Sequence, residues 1–514
     1  MDHLRAPIWR AFLGVEEAMD RIVGPAWNPF YHLGSLGYFF YWIVAGTGLY
    51  LYVFFDTSAV SAFEAIEYLT HTQWYLGGVM RSLHRYGSDA MVVVMMIHMT
   101  REFAKGRYTG ARWFAWFTGI PLIWFVLTSG ITGYWLVWDQ MAQYVAIASM
   151  EWLDSLGIFS EAIANNFLTR GSLSDRFFTL LIFIHIFAPL TLLFIMWIHL
   201  LRISHAETNP PKGLAIGAFA MLTVLSLVKP AVSHPMADLG LVARELHMDW
   251  FYLAFYPLYD EWGAAALWAL TVGGSILLSL VPLTKRPPVP PKAVIDPPNC
   301  NGCTRCFADC PFGAVTMASR TDGSRFSKIA VVDPSLCTGC GICFGACPTG
   351  SPYRSDEAPE AGIYLPDLPL TVLRERLTGA VSGLDQSPRV LVVGCERGAD
   401  LAALKSGGIA VLTLPCVGMI SPSFIDFAFN RGRIDGLVLT GCREGDCFHR
   451  LGILWTEQRI TGERPPELRA RVPRERMLLS WIGSPGGENL LDDVVDFRDR
   501  LKVLPPLSRR GDAR

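Results

Sequence analysis

Four histidines and twelve cysteines carry the chemistry this sequence can do, and their spacing sorts them into two kinds of site. His84 and His98 lie 14 residues apart, and so do His185 and His199. At 3.6 residues per turn that interval is just under four turns, so both histidines of a pair face nearly the same way, roughly 21 Å apart along the helix axis. Two such helices lying parallel set His84 level with His185 and His98 level with His199. Two imidazole pairs at two levels are what two bis-histidine haems require, because a haem iron takes an axial nitrogen from each face. A lone histidine in an apolar helix is more often a helix–helix hydrogen-bonder or a proton relay. Four at a duplicated spacing favour the metal. Gly34 and Gly48, and Gly119 and Gly133, repeat the 14-residue interval. A residue without Cβ lets a flat ring approach the backbone closely. Arg81, three before His84, and Arg101, three after His98, are placed to neutralise haem propionates, although Arg101 also reads as a plain topogenic charge.

All 12 cysteines lie beyond residue 299. Eight form two runs, Cys300-x2-Cys303-x2-Cys306-x3-Cys310-Pro311 and Cys337-x2-Cys340-x2-Cys343-x3-Cys347-Pro348. Tight clusters in a chain with no sign of secretion read as metal ligation, not as a disulfide framework. The doubled x2-x2-x3 spacing is the bacterial two-cluster ferredoxin pattern, in which each run's fourth cysteine ligates the other cluster. One 4Fe–4S cluster then takes Cys300, Cys303, Cys306 and Cys347, the other Cys337, Cys340, Cys343 and Cys310; zinc is the weaker alternative. Cys395, Cys416 and Cys442 end three short strand-like apolar runs, and Cys447 follows five residues on. In a parallel sheet these converge at the carboxyl ends of the strands, where ligands gather. Four thiolates suit a 2Fe–2S cluster or zinc, with buried structural cysteines as the plain alternative. No Cys-x-x-Cys-His occurs, so covalent c-type haem is not expected. No Gly-rich dinucleotide fingerprint is convincing, which leaves flavin and nicotinamide chemistry to partners.

The elements that must position these groups divide the 514 residues sharply. A helix needs about 20 apolar residues to cross the hydrocarbon core. Stretches of that kind run near 35–56, 77–100, 113–137, 177–201, 213–231 and 262–283, the fifth being short and ending at Lys229-Pro230. Six spans put both termini on one side. Short loops on that side carry Arg101, Lys105, Arg107, Arg112, Arg202, Lys212, Lys285 and Arg286, against Arg170, Arg176, Lys229 and Arg244 opposite. The positive-inside rule places the termini and the cysteine-rich part in the cytoplasm of an inner-membrane, multi-pass protein. The N-terminus lacks the apolar core and cleavage site of a signal peptide. The stretch 141–166 reads either as surface amphipathic helices or as an ordinary packed loop. A Pro-rich spacer at 285–299 is semi-rigid by composition. The net charge of −2 gives no reason to expect nucleic acid.

With these residues in view, the first 280 or so resemble the cytochrome b of the quinol-oxidising bc and b6f complexes. Arg81-Ser-Leu-His84-Arg-Tyr-Gly87, continuing to His98 and Arg101, is similar to that family's second helix, and Gly133-Tyr134-Trp-Leu-Val-Trp138 to the end of its third. The resemblance implies two quinone sites, one beside each haem, and a homodimer. His205-Ala-Glu-Thr-Asn209-Pro210 resembles the inner-site segment, so His205 is expected to bond a quinone carbonyl or relay a proton; an interfacial surface histidine is the bland reading. The family's acidic Pro-Glu-Trp-Tyr signature is replaced by Met248-Asp249-Trp250-Phe251, which keeps a carboxylate at Asp249 to accept a quinol proton. The lost proline and tyrosine put quinol bifurcation in doubt, and the membrane part ends after six spans, fewer than the full family. Cys395-Glu-Arg-Gly-Ala-Asp400 and Gly441-Cys442-Arg-Glu-Gly-Asp446-Cys447 resemble the delta subunit of methyl-viologen-reducing hydrogenase. That resemblance implies a 2Fe–2S cluster and a cytosolic flavoprotein partner of heterodisulfide-reductase type.

The expected architecture is multi-domain. Residues 1–284 form an all-α six-span membrane cytochrome b domain, a four-helix haem bundle plus two helices; 285–299 form the linker. Residues 300–356 form a small ferredoxin-like α+β domain, and 388–505 an α/β domain with a parallel sheet. The expected function is that of a membrane subunit of a quinone-linked oxidoreductase, with electrons passing between the flavoprotein and quinone or quinol. The rival is a non-catalytic membrane anchor wiring a hydrogenase or dehydrogenase.

Overall fold

The computed structural model describes residues 2–169, 171–242, 245–284, 290–355, 359–404, 406–484, 487–505 and 507. Arg170, Arg244, Lys285 and Arg286, the first part of the Pro-rich spacer and the end of the tail lie outside the described residues. The chain resolves into two compact units, Met1–Leu201 with Ala206–Pro287, and Arg202–His205 with Pro288–Arg514.

In the first unit α1 (Asp2–Val23) precedes α2 (Leu33–Phe54), the short α3 (Ala62–Glu67) and α4 (Val79–Ala104). Two π-helical turns, Tyr68–Thr72 and Trp74–Gly78, lead into α4. Then come α5 (Trp113–Val137), α6 (Gln140–Asp154), α7 (Ile163–Phe167), α8 (Asp175–Leu200), α9 (Lys212–Val228) and α10 (Phe255–Leu280). Among the described residues, four helices are long and apolar enough to cross a membrane: α2, α5, α8, and α10 with its continuation to Leu283. The expected second span, α4, has 26 residues but also carries Arg81, Arg85, Asp89, Arg101 and Glu102, and the expected fifth, α9, has 17. A non-helical Gly263 (φ 78°) breaks α10, so its apolar segment starts there. The close backbone packing pairs α2 with α4 and α5 with α8, which leaves the histidine-bearing α4 and α8 in different pairs. The stretch at 141–166 divides: up to Asp154 it is the packed helix α6, which Asp139 caps by accepting from the Ala142 N–H at 2.8 Å, whereas 155–162 is non-helical and exposed before α7. Met141, Val145, Ala148 and Met150 of α6 are buried.

In the second unit a short antiparallel pair, β1 (Val294–Ile295) with β4 (Ile363–Tyr364), and an antiparallel hairpin, β2 (Val315–Ser319) with β3 (Lys328–Val332), frame α11 (Arg305–Ala308) and α12 (Ile342–Ala346). After α13 (Leu370–Ser382) comes a four-stranded parallel sheet of β5 (Val390–Cys395), β6 (Ile409–Leu414), β7 (Gly436–Thr440) and β8 (Met477–Ser480), in the order β6-β5-β7-β8. Helices α14 (Pro422–Asn430), α15 (Gly452–Thr461) and α16 (Gly487–Val503) complete it. Strand β5 is buried at every position, which is why Val390-Leu-Val-Val reads as an unbroken apolar run and not an alternating one. One hydrophobic core, including Ala314, Phe344, Leu373, Leu391 and Phe424, is continuous across the cysteine-rich and α/β parts.

Candidate redox centres

The four histidines are each matched by a glycine on the neighbouring helix. A Cβ built on Gly48 would lie 2.9 Å from His84 Cε1, and one on Gly133 3.0 Å from His185 Cε1. At the other level, Gly119 stands against His199 at 3.5 Å and Gly34 against His98 at 3.8 Å. The glycines therefore make room for the imidazoles themselves. The rings of His84 and His185 are 6.2 Å apart, centre to centre. Two metal–nitrogen bonds of roughly 2.0 Å, plus about 1.1 Å from each nitrogen to its ring centre, span roughly that distance. The pair fits a single iron between them.

Threonines fix which nitrogen faces inward, and the sequence reading did not find them. Thr47, Thr118 and Thr132 each precede one of the glycines, and each hydroxyl lies 3.1–3.2 Å from the Nδ1 of His84, His199 and His185 respectively. The hydroxyls donate backwards to the carbonyls of Ile43, Phe114 and Thr128 at 2.7–2.8 Å. With its proton so committed, each threonine oxygen accepts. His84 Nδ1 also meets Val44 O at 2.9 Å, and His185 Nδ1 meets Ser129 O at 3.0 Å. Two acceptors around Nδ1 put the ring proton there and leave the Nε2 lone pair free, the tautomer that a metal needs. A Thr-Gly dipeptide at three of the four glycine positions is the signal that could have found them; Gly34 follows Leu33 instead.

The other expected membrane residues are held by protein partners. Arg81 bonds the Thr70 hydroxyl and Ser233 Oγ (2.9 Å), with Glu67 at 3.6 Å. Arg101 pairs through Nε with Glu16 of α1 at 2.6 Å, both buried, and lies over the Tyr31 ring. Asp249, whose side chain is 7% exposed, accepts from the Phe251 N–H at 2.7 Å, from Arg85 Nη2 at 3.1 Å and from the Tyr134 hydroxyl. Arg85 also reaches Asp89 at 3.3 Å. Neither Arg85 nor Asp89 was expected at this position. Trp250 is exposed and stacks on Phe251. His205 belongs with the second unit, where its carbonyl accepts from Arg450 at 2.8 Å and its ring stands edge-on to Trp455.

The eight cysteines of the two runs border two cavities. One is lined by Cys300, Cys303, Cys306 and Cys347; the other by Cys310, Cys337, Cys340 and Cys343. Each cavity thus takes three sulfurs from one run and the fourth from the other. Burial pushes the Cys306 and Cys340 thiols up to about 12. Buried thiols without a cation are poor thiolates, and a cationic metal core deprotonates them outright. In the α/β part, Cys395 touches Cys416 and Cys442, and Cys447 touches the same two, closing a ring of four. Hydrogen bonds from Cys416 and Cys442 hold the Cys395 thiol well below the ordinary thiol range. Among the described residues, these four included, no group of three or more His, Cys, Asp or Glu is arranged to hold a metal ion. Four convergent thiols form an all-sulfur donor set that suits a 2Fe–2S cluster or a tetrahedral zinc.

Comparison with known proteins follows the same division. Residues 18–207 match the family model described as Cytochrome b/b6/petB, residues 299–351 that of the 4Fe-4S dicluster domain, and residues 390–504 that of the methyl-viologen-reducing hydrogenase delta subunit. Cytochrome b6 of Porphyra purpurea is 29% identical over 202 residues, which is 38% of this chain and 91% of that protein. Cytochrome b6 of Synechococcus sp. (strain JA-3-3Ab) is 32% identical over 130 residues, 25% of this chain and 60% of that protein. A solved structure titled Hyperthermophilic respiratory Complex III aligns with a TM-score of 0.41 and 18% identity, covering 49% of this chain and 75% of that one. Three family matches in this order on one polypeptide identify a membrane electron-transfer subunit in which a cytochrome-b-like segment is fused to a 4Fe-4S dicluster domain and a domain of hydrogenase-delta-subunit type.

Proposed function

We propose that this chain carries electrons between a cytosolic flavoprotein and membrane quinone. In this reading residues 1–284 are the membrane cytochrome domain, 300–356 the two-cluster domain and 388–505 the third cluster domain, with both termini and the iron–sulfur arm in the cytoplasm. His84 with His185, and His98 with His199, hold two b haems; the cysteine quartets described above hold two 4Fe–4S clusters and one 2Fe–2S cluster. The single observation that carries the reading is the 6.2 Å gap between the His84 and His185 rings, with each Nδ1 already bonded to protein. Haem, when bound, supplies one-electron chemistry. The residues of the chain orient both imidazoles, exclude water and keep the ring proton away from the metal side. An electron crossing between the two histidine levels moves through the membrane field, worth at most about 2.3 kcal/mol per 100 mV.

Asp249 is the candidate proton acceptor for quinol at one level and His205 the candidate quinone contact at the other. Partner flavoprotein and homodimer belong to the same reading. One observation favours the anchor alternative: three donors already engage the Asp249 carboxylate. Purified protein treated first with a quinol and then with dithionite separates the two. Partial b-haem reduction by quinol supports the oxidoreductase, reduction by dithionite alone supports the anchor, and no b-type absorbance with either contradicts both.

A further inference from the structure

The α/β thiols and the two cavities are not equally connected. Cys340 and Cys416 share one five-residue buried cluster with Ile342, Leu451 and Trp455. Ile342 sits between Cys340 and Cys343 of the second cavity and is fully buried. Its side chain reaches across to the loop that follows β6: a Cβ on Gly418 would meet Ile342 Cγ1 at 3.0 Å. On the same side, a Cβ on Gly452 would lie 2.3 Å from Cys416 Sγ, 3.5 Å from Cys447 Sγ and 3.7 Å from Ile342 Cδ1. Gly345 of α12 completes the approach, since a Cβ there would fall 2.2 Å from the Gly418 carbonyl. Three backbones are thus brought together, with no room for a Cβ at Gly345 or Gly452 and a tight fit at Gly418, and one isoleucine fills the space between two sets of sulfur.

A buried ion pair locks this junction. Arg459 of α15, 1% exposed, donates from Nη1 to Gly418 O at 2.8 Å and from Nη2 to Asp309 Oδ2 at 2.5 Å and Ile342 O at 3.4 Å. Arg464 reaches the other Asp309 oxygen at 3.1 Å. Asp309 directly precedes Cys310, the fourth cysteine of the second cavity. The guanidinium therefore joins the Cys416 loop, the Ile342 carbonyl and the approach to Cys310 in one hydrogen-bonded set. A removed partner would leave an uncompensated buried charge, so the registry of the two sulfur sites is strongly enforced.

Resting on the cluster reading above, we infer that electrons pass between the Cys395/Cys416/Cys442/Cys447 centre and the Cys310/Cys337/Cys340/Cys343 centre directly, through the Cys416–Ile342–Cys340 contact. The Cys300/Cys303/Cys306/Cys347 centre is then the far one from the α/β domain. The step is balanced by a single electron: one centre is oxidised by one, its neighbour reduced by one, and no proton or bond is involved. Gly418, Gly452 and Gly345 act as positioning residues that set the gap, and Arg459 holds it.

The test uses the full-length, iron-loaded protein and the EPR relaxation of the α/β centre, which quickens when a paramagnetic neighbour lies close. Removing the far cluster with Cys300→Ser and Cys306→Ser is expected to leave the fast relaxation intact; removing the near one with Cys337→Ser and Cys343→Ser is expected to abolish it. The reverse pattern would overturn the order. Ile342→Ala keeps every cysteine and guards against misfolding: all iron–sulfur signals should remain while freeze-quenched electron equilibration between the two centres slows. An unchanged rate in that variant would overturn the route. A chain with no iron–sulfur signals at all would instead overturn the cluster reading on which the order rests, and the order with it.

Discussion

The glycines opposite the histidines make a prediction whose two arms differ in the structure itself. An alanine methyl at Gly48 would stand 2.9 Å from His84 Cε1 and 3.3 Å from its Nδ1, whereas one at Gly34 would meet nothing closer than His98 Cε1 at 3.8 Å. The second distance is ordinary contact; the first is not. His84 cannot simply turn away, because its Nδ1 is held at 2.9 Å by Val44 O and at 3.2 Å by Thr47. The ring moves only by stretching both bonds. Overpacking of this kind costs about 1–3 kcal/mol. At about 1.4 kcal/mol per factor of ten, haem at that level binds roughly 5- to 150-fold more weakly. Gly48→Ala should therefore lose one of the two haems during purification while Gly34→Ala keeps both. Pyridine haemochrome content per polypeptide reads the loss, and the iron–sulfur EPR intensity confirms that the chain is folded. Equal losses in the two variants, or full haem in Gly48→Ala, would refute the reasoning.

Thr132→Val removes one acceptor from His185 Nδ1; the imidazole becomes a weaker donor to ferric iron, and one haem midpoint should rise by at most about 40 mV, from about 1 kcal/mol per lost hydrogen bond. An unchanged or lowered midpoint in an optical redox titration would count against the tautomer argument. Cys310→Ser should remove the same EPR signal as Cys337→Ser and spare the one removed by Cys300→Ser, because Cys310 lines the second cavity although it ends the first run. If Asp249 accepts the quinol proton, Asp249→Asn should slow quinol-driven haem reduction by roughly 10²–10⁴-fold, the usual contribution of a positioned acid–base group. Dithionite reduction should be unaffected, and unchanged quinol kinetics would favour the anchor.

What the sequence made readable were periodic and local patterns. A 14-residue interval maps onto one helix face, so the histidines and their glycines could be located without a partner helix in view. The cysteine runs are local, and their cross-assignment follows from the doubled spacing. Contacts across long stretches of chain were hidden. Arg101 meets Glu16, 85 residues away, on a helix that a scan for continuous apolar runs passes over. Arg459 and Asp309 are 150 residues apart, so neither looks special by itself. Arg85 is adjacent to His84 yet serves Asp249, 164 residues on. The span count shows the same boundary: α4 is long but too charged, and α9 apolar but too short, to meet the criteria that α2, α5, α8 and α10 satisfy.

The most direct test is magnetic circular dichroism of the purified chain during a redox titration, read in the near-infrared bands that report axial ligation. Paired imidazoles at two levels require two separable one-electron transitions, both low-spin and both with nitrogen on each face of the iron. A single transition, or a high-spin centre with one histidine bound, would contradict the account.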